Sequence, residues 1–224
     1  MVKVALYGAS GDIGGAILAE LLDRNHVVLS IVRDPRKLDN VKHENLTIVK
    51  GDIFDENDVA EKVRGYDAVI SAYGPGRREG EHNSTLETYT RLLMKATQLL
   101  FAGTAKAGVK RIITVGGAGT LKVKPNVQLM DTDELPREWY HHASAHRDAK
   151  KYIENIDTKL DWAILSGSAY IHPGEKTGKF RLGLEDLLRD QDGISHISMG
   201  DYAQAIVDEL EEGKHIRQRF TVGY

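Results

Sequence analysis

Gly8-Ala9-Ser10-Gly11-Asp12-Ile13-Gly14 is the stretch of this chain that decides its fold. It follows the β-rich run at 2–7 and opens an amphipathic stretch at 13–22, so it lies where a strand passes into a helix. At that point a phosphate can approach the backbone N–H groups at the positive end of the helix only where side chains are missing. The GxxGxxG spacing therefore predicts a turn that binds the pyrophosphate of a dinucleotide.

The three glycines have separate expected roles in this turn. Gly8 would make the tight bend, Gly11 would admit the pyrophosphate, and Gly14 would let the helix lie close to the strand. A purely structural glycine turn is the alternative interpretation. The residues of the turn that we expect to contact the cofactor are Gly8, Ser10, Gly11, Asp12, Ile13 and Gly14.

Strand-like and helix-like segments alternate along the rest of the chain. Further strands are predicted at 27–32, 46–49, 67–71, 111–115, 160–165, 194–198 and 219–222. Further helices are predicted at 55–63, 86–106, 143–156 and 201–211. The early strands are apolar with little alternation, as strands covered on both faces are. The fold class is therefore α/β, a Rossmann-type, doubly wound, mostly parallel sheet with helices on both faces, in a single domain spanning 1–224.

Three long segments without predicted structure follow strands, at 74–84, 117–137 and 168–180. In an open α/β sheet the ligand crevice lies at the carboxyl ends of the strands. We therefore expect these loops to form the walls of the substrate crevice.

Composition excludes several classes of function. The chain has 224 residues and a net charge of −3, so its overall charge attracts neither nucleic acid nor anionic lipid. It contains no cysteine, which excludes disulfides, thiolate metal sites and thiol nucleophiles. The first apolar residues are used by the first strand, so we expect no signal peptide or membrane span, and a cytoplasmic location.

The end of the second strand indicates which nicotinamide cofactor is preferred. An NAD site carries an acidic residue there for the ribose 2′-hydroxyl, whereas this chain has Arg33, followed by Asp34-Pro35-Arg36-Lys37. A guanidinium binds a 2′-phosphate bidentately, so we expect NADP(H) to be preferred over NAD(H), with Arg33 as the main contact and Lys37 as a second. The alternative is a solvated basic loop that Asp34 partly neutralises.

Further cofactor contacts are expected at the ends of the third, fourth and fifth strands. Asp52 lies where it could approach the adenine, although it could equally cap the following helix. Tyr73 could stack near the ribose or serve only in packing. The remaining expected contacts are Ile53, Ser71, Ala72, Gly74 and Gly116.

Together these motifs resemble those of the atypical short-chain dehydrogenases. The stretches concerned are GASGDIG at 8–14, VRDPRK at 32–37, GD at 51–52, DAVISA at 67–72 and TVGGAG at 114–119. EKTGKFRLG at 175–183 and RFTVGY at 219–224 are similar to closing motifs of a narrower NAD(P)H-binding group, the NADH-flavin reductases related to biliverdin-IXβ reductase and NmrA-like redox sensors. The resemblance covers nearly the whole chain and implies a Rossmann fold and an NAD(P)H cofactor, but it is less specific for the substrate.

Short-chain dehydrogenases reduce ketones or oxidise sugar carbons with a Tyr and a Lys that lie one helical turn apart. This pair is missing from the present sequence. None of the nine tyrosines is followed by Lys four residues later, and Gly116 and Gly117 replace the Ser expected after the fifth strand. Ketone reduction needs a proton donor as the alkoxide forms, whereas a flavin accepts hydride on a stacked ring and water can supply the proton. The missing acid therefore favours an easily reduced acceptor.

Two histidines on one predicted helix are candidate catalytic residues. His142 and His146 lie four residues apart, and with Tyr140, His141 and Lys150 nearby they could form a proton relay, a metal pair or only a polar face of the crevice. No third ligand at a recognisable spacing accompanies them, so we predict no metal site.

His172 is the third candidate for a role in catalysis or substrate binding. It follows the sixth strand, where the nicotinamide ring should lie. The similar stretch of biliverdin-IXβ reductase also carries a His, although Gly167-Ser168-Ala169 stands here in place of its Pro-Pro.

Two functions of different class follow from these patterns. The first is an NADPH-dependent reductase of a flavin or a similarly planar, easily reduced acceptor. The alternative is a non-catalytic NADP(H) sensor of the NmrA type, and a sugar epimerase or dehydratase is disfavoured by the missing Tyr and Lys. We expect a small-molecule substrate, no nucleic-acid or membrane partner, and a monomer or homodimer.

Overall fold

The computed structural model describes residues 1–75 and 86–224. Its strands form mainly where aliphatic residues follow one another. In chain order the described strands are β1 (Lys3–Tyr7), β2 (Val27–Val32), β3 (Leu46–Lys50), β4 (Ala68–Ser71), β5 (Arg111–Gly116), β6 (Lys122–Lys124), β7 (Val127–Gln128), β8 (Asp161–Ser166), β9 (Tyr170–His172), β10 (Arg181–Gly183), β11 (His196–Ser198) and β12 (Gln218–Gly223). The α-helices are α1 (Asp12–Asp23), α2 (Glu56–Val63), α3 (Leu86–Ala107), α4 (Tyr140–Asn155) and α5 (Met199–Glu212).

Eight of these strands form one sheet in the order β10-β12-β8-β5-β4-β1-β2-β3. Seven of them run parallel, and β10 joins the edge antiparallel to β12. The strand order reverses between β1 and β4, where the crossovers leave in opposite directions and open a crevice at the carboxyl ends. Both the first turn and the loop after β4 lie at this point.

Helices cover both faces of the sheet because successive strand residues point to opposite sides. Val4 and Leu6 of β1 pack in a core cluster with α1 and α5. Ala5 and Tyr7 of the same strand pack in a second cluster with α2, α3 and α4. The predicted doubly wound, mostly parallel α/β fold is confirmed.

Several predicted boundaries and loops were wrong. The loop at 117–137 contains the β6–β7 hairpin, and the loop at 168–180 contains β9, which pairs with β11 outside the main sheet. The strand predicted at 194–198 begins only at His196, because the Asp190 carboxylate accepts the N–H of Ile194 and holds it in a turn. α4 begins at Tyr140 instead of 143, since a 3₁₀ turn leads directly into it. Of the loop predicted at 74–84, residues 76–84 lie outside the described part.

No helix within 1–75 and 86–224 combines the length and the apolar composition needed to cross a membrane.

Candidate functional site

At two glycines the first turn leaves no space for side chains. Gly8 has a φ of +88°, which residues with a Cβ rarely adopt, and a Cβ there would lie 2.5 Å from the carbonyl oxygen of Ala72. A Cβ on Gly14 would lie 2.0 Å from the carbonyl oxygen of Gly8. The turn therefore requires glycine at both positions, and Gly14 brings α1 into direct contact with the turn.

Gly11 has more space, and its surroundings fit a phosphate. It is the N-cap of α1, and a Cβ there would lie 3.5 Å from the carbonyl oxygen of Gly8, an ordinary contact distance. The N–H groups of residues 12–14 have no acceptor within the helix, and Gly11 has no side chain to cap them. Ser10 and Gly11 are exposed beside these groups. The residues present therefore fit a dinucleotide pyrophosphate bound at the positive end of α1.

The loop after β2 carries two exposed basic side chains, Arg33 and Lys37, that make no hydrogen bond or ion pair with the residues the structure describes. Asp34, between them, is bound instead by Arg36, whose Nε and Nη2 each donate to a carboxylate oxygen at 2.8 Å. This hydrogen bonding to Arg36 lowers the pKa of Asp34 to about 2. The carboxylate is therefore charged but already paired, while both neighbouring cations are available to an anion.

Asp55 caps α2, a role that the sequence left open for Asp52. The Asp55 carboxylate accepts the N–H groups of Asn57 and Asp58. Asp52 instead accepts the N–H of Phe54 at 2.9 Å, in the turn before the helix. Asp52 is exposed, and its contact with the adenine stays a prediction.

A cavity lies at the carboxyl ends of β4, β5 and β8, between the sheet and helices α3 and α4. It encloses about 530 Å³ with its open mouth included. Aliphatic and hydroxyl side chains form most of its wall, together with the basic side chains of His146 and Lys150. Four residues predicted as cofactor contacts line it: Ile53, Ser71, Tyr73 and Gly116.

The expected crevice walls contribute unequally to this cavity. Gly117 and Thr120 from 117–137 line it, whereas within the described part of the chain no residue of 168–180 does so. Ala72 and Gly74 follow β4 next to the cavity, and Ala72 supplies the carbonyl group that faces Gly8. The roles of these loops in substrate binding stay predictions.

Two glycines at the end of β5 allow its neighbours to pack closely, Gly116 beside β8 and Gly117 beside α4. A Cβ on Gly116 would lie 2.6 Å from Cγ2 of Ile164, and Gly117 faces His146. The imidazole of His146 makes no hydrogen bond with any described residue. A polar ring that lines a cavity without a partner offers a hydrogen bond to a ligand.

Of the two basic side chains of the cavity, His146 is uncharged at neutral pH and Lys150 is paired with a carboxylate. Burial lowers the pKa of His146 to about 4, and the neighbouring His142 adds to the effect. Lys150, one turn later, donates to Glu154 at 2.6 Å. His146 and Lys150 are four residues apart, which is also the spacing of the missing Tyr and Lys pair. A search that starts only from the tyrosines cannot find this match.

His142 packs in an aromatic cluster and not on the cavity wall. Its ring centroid lies 4.3 Å from that of Tyr89 and 4.0 Å from that of His141. Burial lowers the pKa of His142 to about 4, with His141 contributing. Tyr140 is exposed. A proton relay through His142 and His146 stays a prediction.

His172 joins β9 to β11 instead of lining the cavity with the residues described above. Its Nε2 lies 3.3 Å from Nδ1 of His196, and its Nδ1 lies 2.9 Å from the carbonyl oxygen of Pro173. Nε2 of His196 lies 3.0 Å from Oδ2 of Asp190. The sequence did not indicate this series of linked side chains, because His196 is 24 residues from His172. Contact of His172 with the substrate stays a prediction.

Comparisons with known proteins extend over almost the whole chain. A family model described as NAD(P)H-binding matches residues 8–212. A solved structure from Burkholderia pseudomallei, provisionally assigned as an exported protein, is 42% identical, with a TM-score of 0.86 and 100% of both chains covered. A provisionally assigned epimerase from Bacteroides thetaiotaomicron is 38% identical, with a TM-score of 0.88 over 100% of this chain and 98% of that one. A provisionally assigned NADH-flavin reductase from Streptococcus pneumoniae is 33% identical, with a TM-score of 0.82 over 100% and 99%.

Proposed function

Because this chain belongs to the NAD(P)H-binding family, we propose that it is an NADPH-dependent reductase that acts on a flavin or a similarly planar, easily reduced acceptor. The similarity to the provisionally assigned NADH-flavin reductase from Streptococcus pneumoniae supports this class of acceptor. A cytoplasmic location and a monomeric or homodimeric state belong to the same proposal, and cell fractionation and light scattering test them.

The preference for NADPH is supported by the loop after β2. Arg33 and Lys37 have no partners among the described residues, and Asp34 is already paired with Arg36. In this arrangement a 2′-phosphate would meet two available cations, and the repulsion from Asp34 would be offset by Arg36. NADH, which lacks the phosphate, gains nothing from Arg33.

The missing Tyr and Lys pair, together with the packing of His146 against Gly117, carries the choice of acceptor. With a pKa lowered to about 4, the imidazole of His146 holds no ionisable proton to release at neutral pH. Lys150 is paired with Glu154, and the Tyr of the usual pair is missing. A ketone would need such a proton, whereas a reduced flavin is stable as an anion in neutral water.

The residues of the site therefore bind and position the reactants. NADPH supplies the hydride when it is bound. The first turn would fix the pyrophosphate through the N–H groups of residues 12–14, and Arg33 would fix the 2′-phosphate. His146 would give a hydrogen bond to a heteroatom of the ligand without changing its charge. Positioning of this kind can supply much of the reduction in the barrier.

The test is the loss of NADPH absorbance in the presence of FMN, FAD or a quinone, compared with NADH at equal concentration. We expect turnover with a planar acceptor and a lower KM for NADPH. Tight NADPH binding without turnover on any acceptor would instead favour the NADP(H) sensor.

A sugar epimerase is a second candidate because of the relative from Bacteroides thetaiotaomicron, which is provisionally assigned as an epimerase. The missing Tyr and Lys pair argues against it. Conversion of nucleotide sugars by the protein, without loss of NADPH and without flavin reduction, would favour the epimerase.

A further inference from the structure

Four aromatic rings form a continuous group, which we call the aromatic rim: Tyr89 on α3, Trp139 in the 3₁₀ turn before α4, and His141 and His142 on α4. The ring centroids of Trp139 and His142 lie 5.2 Å apart at an interplanar angle of 44°. His142 in turn contacts Tyr89 and His141, the latter also 5.8 Å from Tyr89. The four rings of the rim therefore form one connected set of contacts.

The rim is continuous with the cavity. Tyr89 lies one helical turn before Leu93 on α3, and His142 lies one turn before His146 on α4. Residues four apart share a helix face, so the rim and the cavity wall are successive turns of the same two faces. Tyr89 and Leu93 also pack in one cluster with Ala145. A ligand that fills the cavity mouth would meet the rim next.

Packing between helices explains only part of the rim. Tyr89 is 6% exposed, and burial raises its pKa to about 12, as expected for a ring that joins two helices. Trp139, by contrast, remains 54% exposed although it contacts His142. An indole held in contact with another ring and open to solvent on its other side presents a flat apolar surface.

The His142 ring, which Trp139 contacts, presents no charge to a ligand at neutral pH. Burial lowers the pKa of His142 to about 4, so this ring is uncharged at neutral pH. Next to the rim, the imidazole of His146 has no hydrogen-bond partner among the described residues. A ligand suited to both features has a flat aromatic body and a heteroatom at its edge.

We infer that Trp139 and His142 form the stacking surface for the acceptor, and that the acceptor is a fused aromatic ring system with a polar edge, of which isoalloxazine is one example. The ring lies on the indole, and its polar edge enters the cavity toward His146. This inference rests on the proposed reductase function, and it assigns to Trp139 and His142 the selection of the acceptor.

The test measures binding of FMN to the protein saturated with NADP⁺, which cannot donate hydride. Trp139→Ala should raise the Kd for FMN about tenfold, while Trp139→Phe, which keeps an aromatic face, should raise it less than about threefold. Trp139→Leu keeps apolar bulk without an aromatic face and should also raise the Kd about tenfold. It replaces Trp139→Ala as the test if the alanine variant does not fold. Ile216→Ala is the control, because Ile216 is another exposed apolar residue, 47% exposed, that precedes β12 at the opposite end of the sheet.

The emission of bound FMN gives a second readout, since stacking on an indole quenches flavin fluorescence. Bound FMN should be strongly quenched in the native protein and brighter in Trp139→Leu. Unchanged NADPH affinity in each variant shows that the fold is kept. Native levels of FMN binding and quenching in Trp139→Ala or Trp139→Leu, with flavin reduction intact, would overturn the inference alone. A native protein that binds NADPH but neither binds nor reduces FMN would overturn both the inference and the proposed function.

Discussion

A Cβ at Gly117 would lie 2.9 Å from the Cβ of His146, so the glycine and the histidine depend on each other for space. The histidine lines the cavity because the strand end beneath it has no side chain. A residue with a side chain at position 117 would therefore displace His146 from the cavity wall.

Gly117→Ala should destabilise the protein by about 1–3 kcal/mol, because the added methyl group must displace His146 or α4. Gly15→Ala is the matched control, since its Cβ would lie 3.6 Å from the nearest atom, within a helix that favours alanine. Thermal unfolding of both variants checks the prediction, and equal melting temperatures would contradict it.

Arg33→Ala should weaken NADPH binding about ten- to a hundredfold and leave NADH binding almost unchanged, because only NADPH carries the phosphate. Arg64→Ala, at an exposed arginine after α2, is the control. Isothermal calorimetry with both cofactors measures the effect. Equal affinities of the native protein for NADPH and NADH would refute the assignment of Arg33.

Gly11→Val should abolish cofactor binding and leave the fold intact, because Gly11 has room for a Cβ and its side chain would enter the expected position of the pyrophosphate. Gly14→Val should lower stability as well, because its Cβ would meet a carbonyl oxygen at 2.0 Å. Calorimetry and thermal melting separate the two effects. Native affinity in Gly11→Val would mean that the turn is only structural.

Stability should fall as the pH is lowered from 6.5 to about 4, and His146 should account for part of the loss. Its pKa is lowered in the folded state, so in this range the unfolded chain binds a proton that the folded protein excludes. His146→Gln should recover about 1–2 kcal/mol of that loss between pH 6.5 and 4.5. Urea unfolding at several pH values measures it, and an unchanged pH dependence would contradict the lowered pKa.

Single replacements such as His146→Gln or Lys150→Met should lower the kcat for FMN by less than about tenfold, because neither residue acts as the acid. A general acid typically contributes on the order of a hundredfold or more. Steady-state kinetics with constant NADPH affinity decides this. A loss of more than a hundredfold in kcat would identify the acid and favour a carbonyl substrate instead.

Much of the fold could be predicted from local patterns. The apolar run at 27–32 and the glycine turn at 8–14 each specify their structure within a few residues, and β2 matches its predicted bounds. β9 could not be predicted, because it is three residues long and depends on pairing with β11. The β6–β7 hairpin lies in the segment 117–137, which the sequence predicts as a loop. Strands of two or three residues are too short to show an alternation of apolar and polar residues.

The candidate site was predictable where one residue type suffices for the chemistry. Arg33 after the second strand indicated a phosphate contact, but the pairing of Asp34 with Arg36 depends on side-chain geometry. His146 was a candidate from its spacing to His142. Its low pKa and its approach to Gly117 follow from burial between α4 and β5, which only the three-dimensional packing shows.

The contacts that join β9 to β11 have a consequence for the hydrogens they share. The links from Asp190 to His196, from His196 to His172 and from His172 to the Pro173 carbonyl need three N–H hydrogens to act together as hydrogen bonds. Two neutral imidazoles carry only two. Two neutral rings can therefore make at most two of these three hydrogen bonds at one time. The tautomer of His172 and the tautomer of His196 depend on each other, so the link between the two strands is set by where two hydrogens lie.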